Sequence, residues 1–297
     1  MATSDSPQPT GSVWHDWVLL TRFDKPVGSY LLLWPTLWAL WAAAEGVPDW
    51  KNLLIFIAGV FVMRSAGCVI NDYADREIDR HVARTRDRPL TQGRITEKAA
   101  LTGFAILCLM AFGLVLMTNG FTVVLSLGAL ALAALYPFMK RHTHLPQVFL
   151  GAAFSWAIPM AFAAEREEVT IACWLLYIAN LCWTVAYDTI YAMVDRDDDI
   201  KIGVKSTAVL FADLDLAMIG ALFAATSISL LMAATQLESG MAVYAAILTG
   251  ALYHVWQLWK IKGRERAHCF TAFRASHWYG VIILLGLMAD YALPQIQ

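Results

Sequence analysis

The sequence is poor in charged residues. Only 15% of its 297 residues are charged, whereas a soluble domain usually has about a quarter. The charges fall in short clusters separated by apolar runs of about 18 to 22 residues, enough to cross a hydrocarbon core of roughly 30 Å. Runs such as 99–117 and 121–139 also lack the regularly spaced polar face of a helix on a soluble protein. The composition therefore excludes a soluble domain and predicts an all-α, polytopic bundle in a lipid bilayer.

Other absences narrow the function. The five cysteines show no CxxC or other metal-type spacing, so a thiolate metal site is excluded. Residues 1–21 contain no lysine or arginine, which argues against a secretory or transit peptide and predicts that the first apolar helix is retained. The formal net charge of −2 gives no reason to expect nucleic acid as a partner.

The apolar runs predict nine membrane spans that form a single domain over residues 27–297. Residues 1–26 are predicted to be a cytoplasmic tail and an amphipathic segment that leads into the first span. Pro35 and Pro159 fall inside spans, where each is expected to kink its helix. The predicted spans are 27–44, 52–71, 99–117, 121–139, 146–164, 171–190, 214–234, 241–259 and 276–293.

The basic residues predict the orientation of the bundle. All but three of the 22 lysines and arginines fall in segments on the same side of the predicted membrane as the N-terminus. The exceptions are Lys51, Arg64 and Arg166. Short loops rich in lysine and arginine stay in the cytoplasm. We therefore expect the N-terminus and the long basic loops to be cytoplasmic.

Two of these cytoplasmic segments carry matching aspartates. The first reads NDYADREID from Asn71 and the second reads DTIYAMVDRDDD from Asp188. Each contains a pair four residues apart, and such a pair shares one helix face. Each also has an aspartate seven residues before a member of its pair. The four paired aspartates are Asp75 with Asp79 and Asp195 with Asp199; the preceding ones are Asp72 and Asp188.

The spacing favours a magnesium site between the two segments. Four spans separate the motifs, which returns the chain to the same side of the membrane. Unpaired carboxylates beside a membrane repel one another unless they are neutralised, and Mg²⁺ prefers carboxylates together with substrate phosphates. The alternatives are a solvated acidic loop, which does not explain the repeated spacing, and calcium, for which the glycine of an EF-hand loop is missing.

Basic residues near these motifs indicate a diphosphate ligand. Arginine binds phosphate oxygens through two nitrogens and lysine binds them as a point charge. Any one of these residues alone is also explained as an anchor at the membrane surface. A further arginine, Arg64, lies inside the second span, where pairing with Asp72 is preferred over contact with a substrate. The predicted diphosphate-binding residues are Arg22, Lys25, Arg84, Arg88, Lys140, Arg141, Lys201 and Lys205.

Four stretches of the chain resemble the UbiA superfamily of intramembrane prenyltransferases, and in particular its members that use 4-hydroxybenzoate. They are RFDKPVGSYLLLWP from Arg22, AGCVINDYADREIDRHVARTRDRPL from Ala66, YPFMKRHTHLPQ from Tyr136 and YDTIYAMVDRDDDIKIGVKST from Tyr187. The resemblance implies nine helices around a central cavity, bound Mg²⁺, a polyprenyl diphosphate donor and 4-hydroxybenzoate as acceptor in ubiquinone biosynthesis. Separately from the resemblance, the absence of a transit peptide favours the bacterial inner membrane.

The resemblance also assigns roles to residues of this chain. Asp75, Asp79, Asp195 and Asp199 would bind the metal, supported by Asn71 and Asp72. Arg141 and Lys25 would contact the diphosphate or position the acceptor, and Tyr136 or Tyr187 would line the wall. In the expected mechanism, an electrophilic aromatic substitution, Asp188 or another carboxylate of the second motif would favour phenolate formation or take the ring proton. The predicted catalytic residues are Asp72, Asp188 and Arg141.

Three rival functions differ from this expectation. A transporter for anionic lipids would need a site at the middle of the membrane, reached from both sides. A CDP-alcohol phosphotransferase would need DG and AR elements among its aspartates, and REID follows Asp75 instead. A family member with a menaquinone, haem or chlorophyll precursor as acceptor would share the same metal site. A panel of acceptors separates this last rival.

Overall fold

The computed structural model describes residues 12–80 and 85–292, and these contain helices and no β-strand. The α-helices, in chain order, are α1 Val13–Thr21, α2 Val27–Ala44, α3 Trp50–Asp79, α4 Glu97–Val115, α5 Gly120–Leu135, α6 Pro146–Ser155, α7 Ala157–Arg166, α8 Ile171–Ile202, α9 Thr207–Phe211, α10 Asp215–Gln236, α11 Met241–Ile261, α12 Arg266–Ala275 and α13 His277–Ala292. Two short 3₁₀ helices, Tyr136–Arg141 and Ala212–Leu214, follow α5 and α9.

Nine segments within the described residues are long and apolar enough to cross a membrane, which confirms the predicted spans. Some are single helices, and others join two helices or end in a 3₁₀ turn, as in Pro146–Arg166, which contains α6 and α7. Contacts between neighbouring helices lead around the bundle, and α13 packs against α2. The crossings therefore form a closed ring.

Two helices are much longer than a bilayer requires. α3 has 30 residues and α8 has 32, whereas about 20 residues suffice to cross the hydrocarbon core. The last turns of each helix carry the aspartate motifs, so both motifs are helical as predicted. α8 ends at Ile202. The next residue, Gly203, has a φ of 72°, a left-handed backbone conformation that glycine adopts more easily than other residues.

The two internal prolines have different effects. Pro159 has no N–H to donate to the carbonyl of Ser155, and the helix is interrupted at Trp156. At this interruption, the indole of Trp156 donates to the carbonyl of Leu125 in α5 at 2.8 Å. At Pro35, by contrast, α2 is assigned as one continuous helix, so the structure shows no break there.

α1 lies against the end of the bundle that carries the aspartates. Leu20 is fully buried, and the carboxylate of Asp16 accepts from Arg94 at 2.9 Å. Arg94 belongs to the segment between α3 and α4, so this ion pair joins α1 to that segment. Outward, Val13 and Trp14 are exposed, as expected of an amphipathic helix at a membrane surface.

Asn119 provides a test of the fold at the start of α5. Its side chain accepts from Thr122 N at 2.9 Å and donates to the carbonyl of Ala163 at 2.6 Å, joining α5 to α7. We expect Asn119→Ala to lower stability by about 1–2 kcal/mol from the lost cap and further from the lost bond to α7. Thermal unfolding in detergent measures this change. Thr170→Ala, which removes one capping bond only, should have a smaller effect, and equal effects would contradict this account.

Candidate active site

The two aspartate motifs line one cavity of about 300 Å³. The last turns of α3 contribute four carboxylate or amide side chains, and the second half of α8 contributes three carboxylates. Motifs 120 positions apart in sequence therefore meet at one end of the bundle. These carboxylate and amide residues are Asn71, Asp72, Asp75, Asp79, Asp188, Asp195 and Asp199.

The carboxylates of the first motif are buried and paired with cations. Asp72, Asp75 and Asp79 are 1%, 4% and 4% exposed. Asp72 accepts two hydrogen bonds from Arg22, at 2.8 and 2.9 Å. A buried carboxylate needs such compensation, since an uncompensated buried charge is strongly destabilising.

The remaining pairs extend this network to three carboxylates. Arg88 contacts Asp72 at 2.9 Å and Asp79 at 2.6 Å, while Lys140 contacts Asp75 at 2.5 Å. The three cations come from different places: Arg22 follows α1, Arg88 lies between α3 and α4, and Lys140 follows α5. The network therefore joins three separate segments of the chain to α3.

The other predicted cations are placed differently. Lys205 lines the cavity, and its Nζ lies 3.5 Å from the carbonyl of His142. Lys25 and Lys201 do not line it; their side chains are 76% and 73% exposed and lie near Asp24 and Asp198. Arg141 donates to the carbonyl of Ala74 and is also outside the lining. Arg84 lies outside the described residues.

The donor set fits a hard divalent cation. Among residues 12–80 and 85–292, no three His, Cys, Asp or Glu side chains are grouped to hold a metal as they stand. However, Oδ1 of Asp75 is buried and has no hydrogen-bond partner among the described residues, and six further carboxylate or amide side chains of the motifs line the same space. Oxygen ligands of this kind suit Mg²⁺ when substrate phosphates complete its coordination.

A second, larger cavity of about 630 Å³ adjoins the acidic one. Its lining is almost entirely apolar and comes mainly from α2 to α7. Leu109 of α4 and Leu127 of α5 belong to this lining and are 69% and 61% exposed, so protein does not close the cavity on the side of these helices. The two cavities share three lining residues, Arg64, Tyr136 and Phe154. An anionic head and an apolar tail of one ligand fit this arrangement.

Arg64 stands at the boundary between the cavities. Its Nε is buried and has no hydrogen-bond partner within residues 12–80 and 85–292, and its guanidinium lies 6.0 Å from the ring centre of Phe154. The expected pair with Asp72 does not form, because Arg22 and Arg88 hold that carboxylate. An arginine inside a membrane bundle with an unpartnered donor indicates contact with a ligand.

Gln147 is a lining residue that sequence reasoning missed. It is 6% exposed, and its Oε1 accepts from Thr207 N at 3.0 Å. This bond fixes which amide atom is which, since a backbone N–H donates only. A single glutamine after Pro146 has no spacing that would have revealed this role.

Aromatic rings form another part of the wall. Tyr136 and Tyr187, both anticipated from the sequence, line the acidic cavity together with Tyr191 and Phe273. The rings of Tyr191 and Phe273 stack with centres 4.3 Å apart. The hydroxyl of Tyr136 donates to the carbonyl of Gly67 at 3.0 Å. Their ring faces can attract a cation.

The chain matches known proteins over almost its full length. The model of the UbiA prenyltransferase family matches residues 32–280. A 4-hydroxybenzoate octaprenyltransferase of Pseudomonas aeruginosa is 56% identical over 278 residues, which cover 94% of each protein. The corresponding protein of Pseudomonas syringae pv. tomato is 58% identical over 278 residues, again 94% of each.

Solved structures share the fold at lower identity. A UbiA homolog from Aeropyrum pernix has a TM-score of 0.77 and 23% identity, covering 88% of this chain and 97% of the other. A UbiA homolog from Archaeoglobus fulgidus bound to GPP and Mg²⁺ has a TM-score of 0.68 and 18% identity, covering 90% and 99%. These similarities confirm the predicted fold class.

Removing Lys140 tests the buried network. Lys140→Gln leaves the Asp75 carboxylate without its nearest cation, so we expect a loss of about 3–5 kcal/mol in stability, or uptake of a proton in its place. Thermal unfolding in the presence of a chelator measures the loss. Lys201→Gln at an exposed pair should cost about 1 kcal/mol or less. Adding Asp75→Asn to Lys140→Gln should restore stability, and failure to do so would contradict the pairing.

Proposed function

Since the chain belongs to the UbiA prenyltransferase family, we propose that it transfers a polyprenyl group from polyprenyl diphosphate to 4-hydroxybenzoate in ubiquinone biosynthesis. The new bond would form at the ring carbon ortho to the hydroxyl. The observation that carries this proposal is the acidic, cation-rich cavity that adjoins an apolar cavity open to the bilayer. The proteins of the two Pseudomonas species support the choice of acceptor by their names.

The two motifs would hold Mg²⁺ through carboxylates on both sides of the cavity. Bound Mg²⁺ supplies charge neutralisation for the departing diphosphate. Binding would require the cations now paired with these carboxylates to release them. The proposed ligands are Asp75, Asp79, Asp195 and Asp199, with Asn71 and Asp72 in support.

The released cations would then contact the diphosphate. Arg22, Arg88, Lys140 and Lys205 line the cavity and need only turn from their present partners towards the substrate. Lys25, Arg141 and Lys201 remain proposed contacts that would have to move into the cavity, and Arg84 is proposed on sequence grounds alone. Once bound to the diphosphate, these cations would stabilise the negative charge that develops on it as the C–O bond breaks, with little further rearrangement.

Arg64 is the proposed ligand of the acceptor's carboxylate. It is set apart from the carboxylate–cation network, it keeps an unpartnered donor, and it lies where the two cavities meet. An arginine pairs with a carboxylate through charge-assisted hydrogen bonds, which are stronger than neutral ones. The acceptor ring would thereby lie beside the reacting end of the polyprenyl chain, whose tail occupies the apolar cavity.

The proposed reaction is an electrophilic aromatic substitution. The allylic C–O bond breaks and both of its electrons leave with the diphosphate. The faces of Tyr136, Tyr187 and Tyr191 would stabilise the allylic cation. The ring carbon then supplies the electrons of the new C–C bond, and the ring proton passes to Asp188 or another carboxylate of the second motif.

The chain is an integral, multi-pass membrane protein. We propose that residues 27–297 form one domain in the bacterial inner membrane, with the N-terminus and the site on the cytoplasmic side. The clustering of lysine and arginine supports this orientation, and the bacterial relatives support the choice of membrane.

The proposed activity is tested with purified protein, a polyprenyl diphosphate, 4-hydroxybenzoate and Mg²⁺. We expect prenylated 4-hydroxybenzoate by mass spectrometry, lost with EDTA and reduced at least about a hundredfold in Asp75→Ala or Asp195→Ala. Asp87→Ala, whose side chain is 78% exposed, should retain activity. Undiminished turnover in the first two variants would refute the metal assignment. Product from another acceptor alone would refute 4-hydroxybenzoate.

Gly28 provides a test of the role of Arg64. A Cβ at Gly28 would lie 2.4 Å from the Arg64 guanidinium, so Gly28→Ala must displace it. We expect the KM for 4-hydroxybenzoate to rise roughly tenfold, since a hydrogen bond to a charged group contributes about 1.5–3 kcal/mol. The KM for the diphosphate should change little. Gly113→Ala in α4, where no described atom lies within 4 Å of the added Cβ and which lines neither cavity, should behave as wild type. A selective rise in the diphosphate KM would contradict the assignment.

A further inference from the structure

The second aspartate motif is anchored on the face turned away from the cavity. Asp195 and Asp199 line the cavity, while the residues between them contact other elements of the protein. Arg196 contacts Asp215 at 3.1 Å. Arg266 contacts Asp197 at 3.2 Å and Asp198 at 3.3 Å. These ion pairs thus fix the end of α8 on the face opposite the cavity.

Asp215 is the most deeply buried member of this arrangement. It is the first residue of α10 and is 0% exposed. Besides Arg196, it accepts from Nε of Arg264 at 3.0 Å and from Nη2 of the same side chain at 2.7 Å. The backbone N–H of Leu216 donates to it at 2.7 Å. A buried carboxylate with this many charged donors fixes the groups around it strongly.

Arg264 extends the anchor to a third element. It lies between α11 and α12 with a φ of 55°, and its side chain also donates to the carbonyl of Asp213 at 3.0 Å. Its hydrogen bonds to Asp215 raise the pKa of its guanidinium, so it stays charged. The Asp215 carboxylate of α10 thus joins three elements. It binds α8 through Arg196 and the turn before α12 through Arg264.

We infer that Asp215 is a positioning residue which, through Arg196, sets where Asp195 and Asp199 lie opposite the first motif. Successive helix residues are about 100° apart, so the direction of Arg196 fixes the directions of its neighbours on the same turn. The pairs made by Arg266 are more exposed than Asp215, and exposed pairs hold geometry weakly. The inference rests on the proposed function, because it assigns Asp195 and Asp199 to a metal.

A simple brace between helices would use the same contacts, so the test must report on metal binding as well as stability. We propose Asp215→Asn and Arg196→Gln, with Arg266→Gln as a matched control at the exposed pair. Binding of Mn²⁺ in the presence of inorganic diphosphate is followed by electron paramagnetic resonance. The Mg²⁺ concentration for half-maximal activity and the melting temperature are measured beside it.

Both test variants should weaken Mn²⁺ binding and raise the Mg²⁺ requirement by roughly 10- to 100-fold, the usual effect of losing a residue that orients metal ligands. The double variant should be no weaker than the more affected single variant, because both remove the same link. Arg196→Lys should recover part of the affinity. Arg266→Gln should stay within about twofold of wild type.

Other outcomes overturn the inference. Normal Mn²⁺ binding in both test variants, with a lowered melting temperature, would show a brace and leave the proposed function intact. No Mn²⁺ binding by the wild-type chain would overturn the metal assignment and this inference together. If Asp215→Asn does not fold, Arg196→Gln and Arg196→Lys decide the matter, because this side chain is 20% exposed.

Discussion

The structure depends on the need to neutralise carboxylates beside a low-dielectric membrane interior. Asp72, Asp75 and Asp79 are almost completely buried, and each is within contact distance of a cation. Separation of such pairs without replacement is strongly unfavourable. The segments that carry Arg88 and Lys140 therefore bind α3 through their charges, and α1 is held against α3 through Arg22 for the same reason.

The same constraint explains how one set of residues can serve two states. Without ligands, the cations and carboxylates satisfy each other. With divalent metal and diphosphate, the carboxylates would bind the metal and the cations would bind the phosphate oxygens, so every charge keeps a partner of opposite sign. The free-energy difference between the states is then much smaller than the individual interactions, since strong contacts are exchanged rather than lost.

Much of the fold was predictable because the bilayer limits the choice. Apolar runs long enough to span the bilayer can fold as little else than membrane helices. The nine crossings within the described residues could therefore be predicted from these runs. The spacing of Asp75 with Asp79, and of Asp195 with Asp199, placed each pair on one helix face, and both faces line the cavity. The faces on which side chains of one helix lie depend only on their spacing along that helix, so they can be predicted from the sequence.

Partner choice between distant segments was not predictable. The cations Lys140 and Lys201 look alike in sequence, yet one contacts Asp75 and the other is exposed. The role of Gln147 depends on where α9 begins, and that of Asp215 on the turn before α12. Such contacts are set by packing, which no spacing along one segment reveals. Arg64 was placed in the interior correctly, but its predicted pair with Asp72 does not form.

The lateral opening between α4 and α5 has a consequence for substrate length. A closed cavity acts as a ruler, because a chain that is too long meets its far wall. Here Leu109 and Leu127 belong to the cavity lining and are also exposed, so the long apolar tail of the proposed substrate would pass out among the lipids. The number of isoprene units in the product would then be decided by the enzyme that synthesises the diphosphate. This protein would not select among polyprenyl diphosphates by their length.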